Sequence, residues 1–296
     1  VNGYGIFNGL KLPSLLNQQF SIENRKSSLG RFFVQPRRRF IHSATKIMVV
    51  LCLFSLQCCG PLLVQTPSPP FSKQQILDIL SCLEEQETCV RSFFSSGRLV
   101  FNMNGSESDA NILIAGTRDP SCIKIEITHP WGHPLIHILI NETKLYIISY
   151  YEKRYYHGLL EDLSSLRFFP TPLAPDQARS LVRGYPVLRK YDRAVSSRKE
   201  QITLLSATGE AVQVINFYPK SKLPRLVSFP GHSTMLSFSD FQNEGKICFA
   251  RDIQLMDPET DEMLSVELKQ MIFNKPIPEA ILRLEIPPDF EVFSLP

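Results

Sequence analysis

Apolar and polar positions change their rhythm twice along this chain. From Ser72 the period is helical: Ile76, Ile79, Leu80 and Leu83 share one face, and Val90, Phe93 and Phe94 return to it. Ser72 stands at an N-cap position with Gln75 placed to complete a capping box, while Phe71 and Ile76 are spaced for a hydrophobic staple. After Gly97 the period shortens to that of a strand. Arg98–Met103, Asn111–Ala115, Cys122–Thr128, Leu135–Ile140 and Lys144–Tyr150 are short and β-rich. Asn104-Gly105, Trp131-Gly132-His133-Pro134 and Asn141-Glu142 punctuate them as turns. These links are too short for crossover helices, so an antiparallel meander is expected. A second helix, Ala174 to Arg183, is introduced by Pro170, Pro172 and Pro175 and ended by Gly184 and Pro186. Strands resume at 201–205, 212–218, 225–229, 234–239, 245–252 and 263–272, and the tail after Ile286 should be ordered by contacts rather than by regular structure. The predicted fold is mainly β: an unclosed antiparallel β-barrel, formed by a strongly curved sheet, with helices covering its concave side.

Composition changes sharply ahead of this domain. Ile47 to Leu56 is apolar except for Ser55; Arg37, Arg38, Arg39 and Lys46 precede it, and Cys58, Cys59 and Gly60 follow. That is the charge-then-apolar layout of a secretory signal. The run is too short for a bilayer, which needs about 17–25 apolar residues. A cysteine at the cleavage position points instead to lipidation of Cys59, each buried CH₂ of the anchor contributing roughly 0.8 kcal/mol. The expected division is a leader over 1–58 with an atypical N-terminal extension, a Pro-rich linker over 59–71 and a domain over 72–296. The extension reads either as an over-extended start or as an unusually long leader.

Charge follows the same division. Residues 1–58 hold eight Lys or Arg against Glu23 alone, whereas the rest holds 24 basic and 28 acidic side chains. Basicity therefore belongs to the leader, and the domain is not expected to bind nucleic acid. Of seven cysteines only Cys82, Cys89, Cys122 and Cys248 fall in the domain. Cys82 and Cys89, seven apart on a helix, are separated by roughly 10 Å of rise, too far for a disulfide without backbone movement.

His129, His133 and His137 have a helical metal spacing, but Pro130, Gly132 and Pro134 exclude a helix across them; solvent-facing positions are expected, and no metal site. No Gly-rich phosphate loop and no nucleophile elbow occurs, so neither catalysis nor a cofactor is expected. Acidic pairs such as Glu84-Glu85 and Glu161-Asp162 read as solvated faces. Tyr146, Tyr150, Tyr151, Tyr155 and Tyr156 crowd one region and serve either hairpin packing or a lipid or partner site. Trp131, between Pro130 and Gly132 at a strand-joining tip, either meets a membrane or a partner's apolar surface, or folds back onto the barrel mouth.

Four stretches, in order, resemble the bacterial LolA/LolB family of lipoprotein carriers and receptors, more closely the outer-membrane receptor LolB. They are Leu56-Gln-Cys-Cys59, Gly97-Arg-Leu-Val-Phe101, Ile127-Thr-His-Pro-Trp-Gly132 and Leu181-Val-Arg-Gly-Tyr-Pro186. The match spans roughly residues 72–270 beyond the lipobox. It departs from the family at Gln57, where Ala or Ser is usual, at Leu181, where Trp is expected, and in a longer chain over 187–296. The resemblance implies an apolar cavity that accepts acyl chains, a monomer anchored through Cys59 to the outer membrane and facing the periplasm, and a periplasmic carrier protein as partner beside the lipid or acylated lipoprotein. It maps the family's protruding membrane-directed leucine onto Trp131, with Leu135 as helper, and makes Leu80, Leu83, Phe94, Tyr146, Tyr150 and Leu181 candidate cavity or partner contacts. The alternatives are an envelope interaction lipoprotein with a packed interior and, more distantly, an envelope hydrolase with a polar cleft.

Overall fold

Ser72 caps α1 (Lys73–Thr88): its hydroxyl accepts from the Gln75 amide at 3.3 Å, and the Gln75 side chain accepts from the Ser72 amide at 2.9 Å. A computed structural model describes residues 69–103, 106–166, 173–260 and 262–295. The leader with Cys59, the turn at Asn104-Gly105, and Pro170 and Pro172 lie outside the described residues. No described helix is long and apolar enough to cross a membrane.

α1 buries Ile76, Ile79, Leu80 and Leu83 as expected but stops at Thr88. Val90, Phe93 and Phe94 therefore do not continue its face, because β1 (Ser92–Met103) has already begun. Tertiary pairing overrides the helical spacing here. The Asn274 side chain accepts from the Arg91 amide and donates to the Cys89 carbonyl, fixing the turn, and Phe93 pairs with Phe273 on a distant strand. Gly97 lies inside β1 at a bulge rather than before the strand; a side chain there would collide with the Glu267 carbonyl.

Six strands form the first meander: β1, β2 (Ser106–Thr117), β3 (Cys122–Thr128), β4 (Pro134–Asn141), β5 (Lys144–Ser149) and β6 (Arg154–Leu159). Seven form the second: β7 (Arg193–Val195), β8 (Gln201–Leu205), β9 (Ala211–Phe217), β10 (Pro224–Ser228), β11 (Met235–Glu244), β12 (Ile247–Asp257) and β13 (Glu262–Phe273). The tail is a correction, since Glu291–Ser294 forms a fourteenth strand, β14, parallel to β6. The order β14-β6-β5-β4-β3-β2-β1-β13-β12-β11-β10-β9-β8-β7 makes one sheet, open at both ends. It is mainly β and not closed into a barrel, and it carries two α-helices among the described residues.

This order forces the helix across the sheet. β6 and β7 are consecutive in the chain but lie near opposite ends, so the connection must cross a face. α2 (Pro175–Arg183) lies in that connection and ends at Gly184, whose φ of 67° suits glycine. Alternation along the strands sorts the faces. Leu99, Ile112, Ile125, Ile138, Ile147, Ile202, Ile215, Leu236, Ile253 and Val266 join the helices in one apolar cluster. The opposite face of the first meander is also covered: Ile148 is fully buried yet outside that cluster. A strap formed by residues 274–295 covers it, its 3-10 turn Glu279–Leu282 lying against β2 and β3 and Phe290 meeting Tyr150 edge-on.

Candidate functional site

α2 is tied to the sheet at its two ends and rests on hydrocarbon between them. At the start, Gln177 is fully buried; its Oε1 accepts from the Ala174 amide at 2.9 Å, and its Nε2 donates to Thr234 Oγ1 at 2.7 Å. At the end, the Gly184 carbonyl accepts from the Ala250 amide at 2.7 Å, and Arg183 Nη2 donates to the Gln86 carbonyl of α1 at 2.7 Å. Between these ties Ala178, Leu181 and Val182 face Leu99, Ile112, Ile125, Ile127 and Leu264. A void of about 20 Å³ remains in this seam, room for about one water, although its walls offer such a water no partner. This seam is thus filled by the protein's own side chains.

The strands beneath the C-terminal end of α2 are unevenly paired. β12 and β13 pair over Asp252–Asp257 and Glu262–Glu267, and then diverge. Helix groups take over the exposed β12 backbone. Gln86 donates to the Lys246 carbonyl and accepts from the Cys248 amide, while Gly184 serves Ala250. Outside this split lies a shallow cleft of about 430 Å³ walled by Cys89, Glu244, Lys246, Ile247, Phe273 and Lys275.

Trp131 occupies the link from β3 to β4. The His129 amide donates to the His133 carbonyl and the Gly132 amide to the His129 carbonyl, both at 2.8 Å, closing a tight turn that Gly132 completes at a φ of 92°. The indole is 64% exposed, with one face stacked on His129 at 3.6 Å between ring centroids. His129 is buried, correcting the solvent-facing expectation. Burial and nearby His133 hold its imidazole below the ordinary value, with Asp109 acting the other way. The tip can therefore present one apolar ring face outward on a supported base.

The other candidate residues fall in different places. Leu181 lines the void. Leu80 and Leu83 are buried in the same cluster from α1. Phe94 and Tyr146 are half-buried and alternate with inward residues, which places them on the face away from the void. Tyr150 is there too, its hydroxyl 3.1 Å from His137 Nδ1 beneath the strap. Leu135 alternates with inward Ile136, half-buried beside the tip. Cys59 lies outside the described residues. Gln177, Gln86 and Arg183 escaped the sequence reading; the only signal for Arg183 was a basic residue in the last turn before a C-capping glycine. Among the described residues no cluster of three His, Cys, Asp or Glu side chains is arranged to hold a metal, and all four described cysteines are free thiols.

No protein-family model matches the chain, and no curated relative does. Solved structures do. A DUF1329 family protein from Desulfovibrio piger has a TM-score of 0.51 at 12% identity, the match covering 70% of this chain and 95% of that one. A LolA superfamily protein from Nitrosomonas europaea has a TM-score of 0.48 at 13% identity, covering 70% of this chain and 97% of that one. At 12% identity the first match is a likeness of fold, spanning nearly the whole of the solved protein.

Proposed function

We propose that this protein is a non-enzymatic, lipid-anchored protein of the bacterial envelope that takes an acyl chain between α2 and the sheet. The observation that carries this reading is the seam itself: a helix held by polar ties at its ends sets Ala178, Leu181 and Val182 against aliphatic side chains of the strands. A chain of CH₂ groups matches those walls, and burying it contributes roughly 0.8 kcal/mol per CH₂. The near absence of empty space means that the chain must displace α2 rather than fill a standing cavity. Cys59 supplies the anchor, and Trp131 the contact with the membrane. The resemblance of the four ordered stretches to the LolB type supports an acylated lipoprotein as cargo, received from a periplasmic carrier protein at the outer membrane.

Native mass spectrometry of the full chain after incubation with palmitate tests the reading. One bound palmitate per chain is expected; none at any ratio contradicts it. One observation favours a second reading, an envelope interaction protein with a packed interior: the seam is closed to about 20 Å³. That reading predicts the absence of any acyl adduct. Trp131→Glu should leave the melting temperature unchanged while weakening association of the non-acylated protein with liposomes by about threefold or more, the apolar ring being lost from the interface. Equal association would remove the tip from the account.

A further inference from the structure

The groups that plug the split between β12 and β13 include one that is incompletely satisfied. Arg183 is 8% exposed, its Nη2 donates to the Gln86 carbonyl, and its guanidinium lies over the Phe273 ring at 5.2 Å. Its Nη1 is buried without a hydrogen-bond partner. A buried donor left unmade is costly, more so on a charged group. Glu87 lies within electrostatic reach but forms no ion pair with it, and its own carboxyl is raised above the ordinary value by desolvation. Burial draws Arg183 itself down to about 10, so the guanidinium remains charged at neutral pH.

Position gives this free arm a meaning. Val182, one residue earlier, lines the apolar seam; Phe273, under the guanidinium, walls the cleft outside the split together with Cys89. Lys246 and Lys275 stand on the same cleft against Glu244 alone. A basic cleft, a buried guanidinium with an unused arm and an aliphatic seam thus follow one another across the C-terminal turn of α2. We infer that Arg183 and this cleft bind an oxyanion, a phosphate or carboxylate, borne by an amphiphile whose chain enters the seam. Arg suits this role because Nη1 and the second hydrogen of Nη2 point the same way and can serve two oxygens, while the first hydrogen of Nη2 keeps the Gln86 contact. The inference rests on the acyl-binding reading above for the chain and adds a second ligand class for the same seam, an anionic amphiphile, since the neutral thioether-and-amide anchor of an acylated lipoprotein carries neither a phosphate nor a carboxylate.

Calorimetry of the full chain with dodecyl phosphate, dodecanol and inorganic phosphate separates the two. The wild type should bind dodecyl phosphate about tenfold or more tightly than dodecanol, a charge-assisted pair being worth that much. R183Q should erase that preference while still binding dodecanol. An equal affinity of the wild type for both amphiphiles, or a preference retained in R183Q, overturns the anion site and leaves the acyl reading standing. If neither amphiphile binds but inorganic phosphate raises the melting temperature of the wild type and not of R183Q, the anion site stands and the acyl reading falls. If nothing binds, both fall. Should R183Q not fold, R183K keeps the charge without the fork: weakened binding of dodecyl phosphate with dodecanol unchanged supports the site, and unchanged binding of both overturns it.

Discussion

On one face of the sheet, α2 lays Ala178, Leu181 and Val182 on aliphatic strands and is tied to its surroundings by hydrogen bonds at its ends and by Ser180, which accepts from the Val187 amide. On the other, the C-terminal strap crosses a polar surface. Lys124 pairs with Glu126 at 2.9 Å, Tyr150 meets His137, and the strap ends as β14, hydrogen-bonded along β6 and tied by Lys153 to Asp289 at 3.0 Å. The first cover is held chiefly by burial, which is non-directional and which another hydrocarbon can supply equally well. The second is held by directional contacts spread along its length, which a substitute would have to reproduce. α2 is for that reason the cover suited to exchange with a ligand, and the strap the one suited to closing an edge that would otherwise pair with other chains.

The comparison breaks first at Leu181. Leu181→Ala should cost about 2–5 kcal/mol in urea unfolding, because the side chain is buried in the middle of the seam. A cost below about 1 kcal/mol would mean that the seam collapses around the loss and that α2 is not seated by it. Gln177→Leu should cost about 1–3 kcal/mol, since the Ala174 amide and Thr234 lose a buried partner. Hydrogen exchange should show that loss as faster opening of α2 without change in the strap. The strap has its own probe. A Cβ at Gly158 would sit 2.6 Å from Leu295 Cβ, so Gly158→Val should release the end of β14 to limited proteolysis while changing global stability by about 1 kcal/mol or less. Cleavage unchanged from wild type would contradict the proposed seating of the strap end.

The smallest effect concerns pH and the outer cover. Burial holds His137 below its ordinary 6.5, Lys124 acting with it and Glu126 against it. The unfolded chain therefore takes up this proton first. The stability it protects is complete above pH 7 and is lost as pH falls through 6.5 toward the lower folded value. His129 is shifted in the same direction, so the two add. His137→Gln should flatten the dependence of the melting temperature on pH between 7 and 5, and an unchanged slope would locate the effect elsewhere.

Much of the inner cover was legible in local sequence. Ser72 with Gln75, Pro175 at the start of α2 and Gly184 at its end are short-range signals, and both helices appear where those signals place them. The strands carrying Ile112, Ile125 and Ile138 were likewise expected from their composition, and folding gathers these three in one apolar cluster. What failed were features set by partners far along the chain. Phe93 and Phe94 carry helical spacing, but β13, about 180 residues away, holds them in a strand. β14 is four residues long behind two prolines and exists through β6. The site followed the same division: Leu181 and Trp131 stood out as apolar residues in recognisable local settings. Arg183 became notable only when folding buried its guanidinium over Phe273 with one arm unpartnered.

The central claim is that a hydrocarbon chain replaces α2's own contacts in the seam. Photolysis of the full chain with palmitate carrying a diazirine near its methyl end tests it directly, by mapping the labelled residues. Labelling concentrated on Ile112, Ile125, Leu181, Val182 and Leu264 is the predicted result. Labelling confined to exposed apolar groups such as Trp131, Tyr151 and Val292, or equal labelling when α2 is denatured, would contradict it.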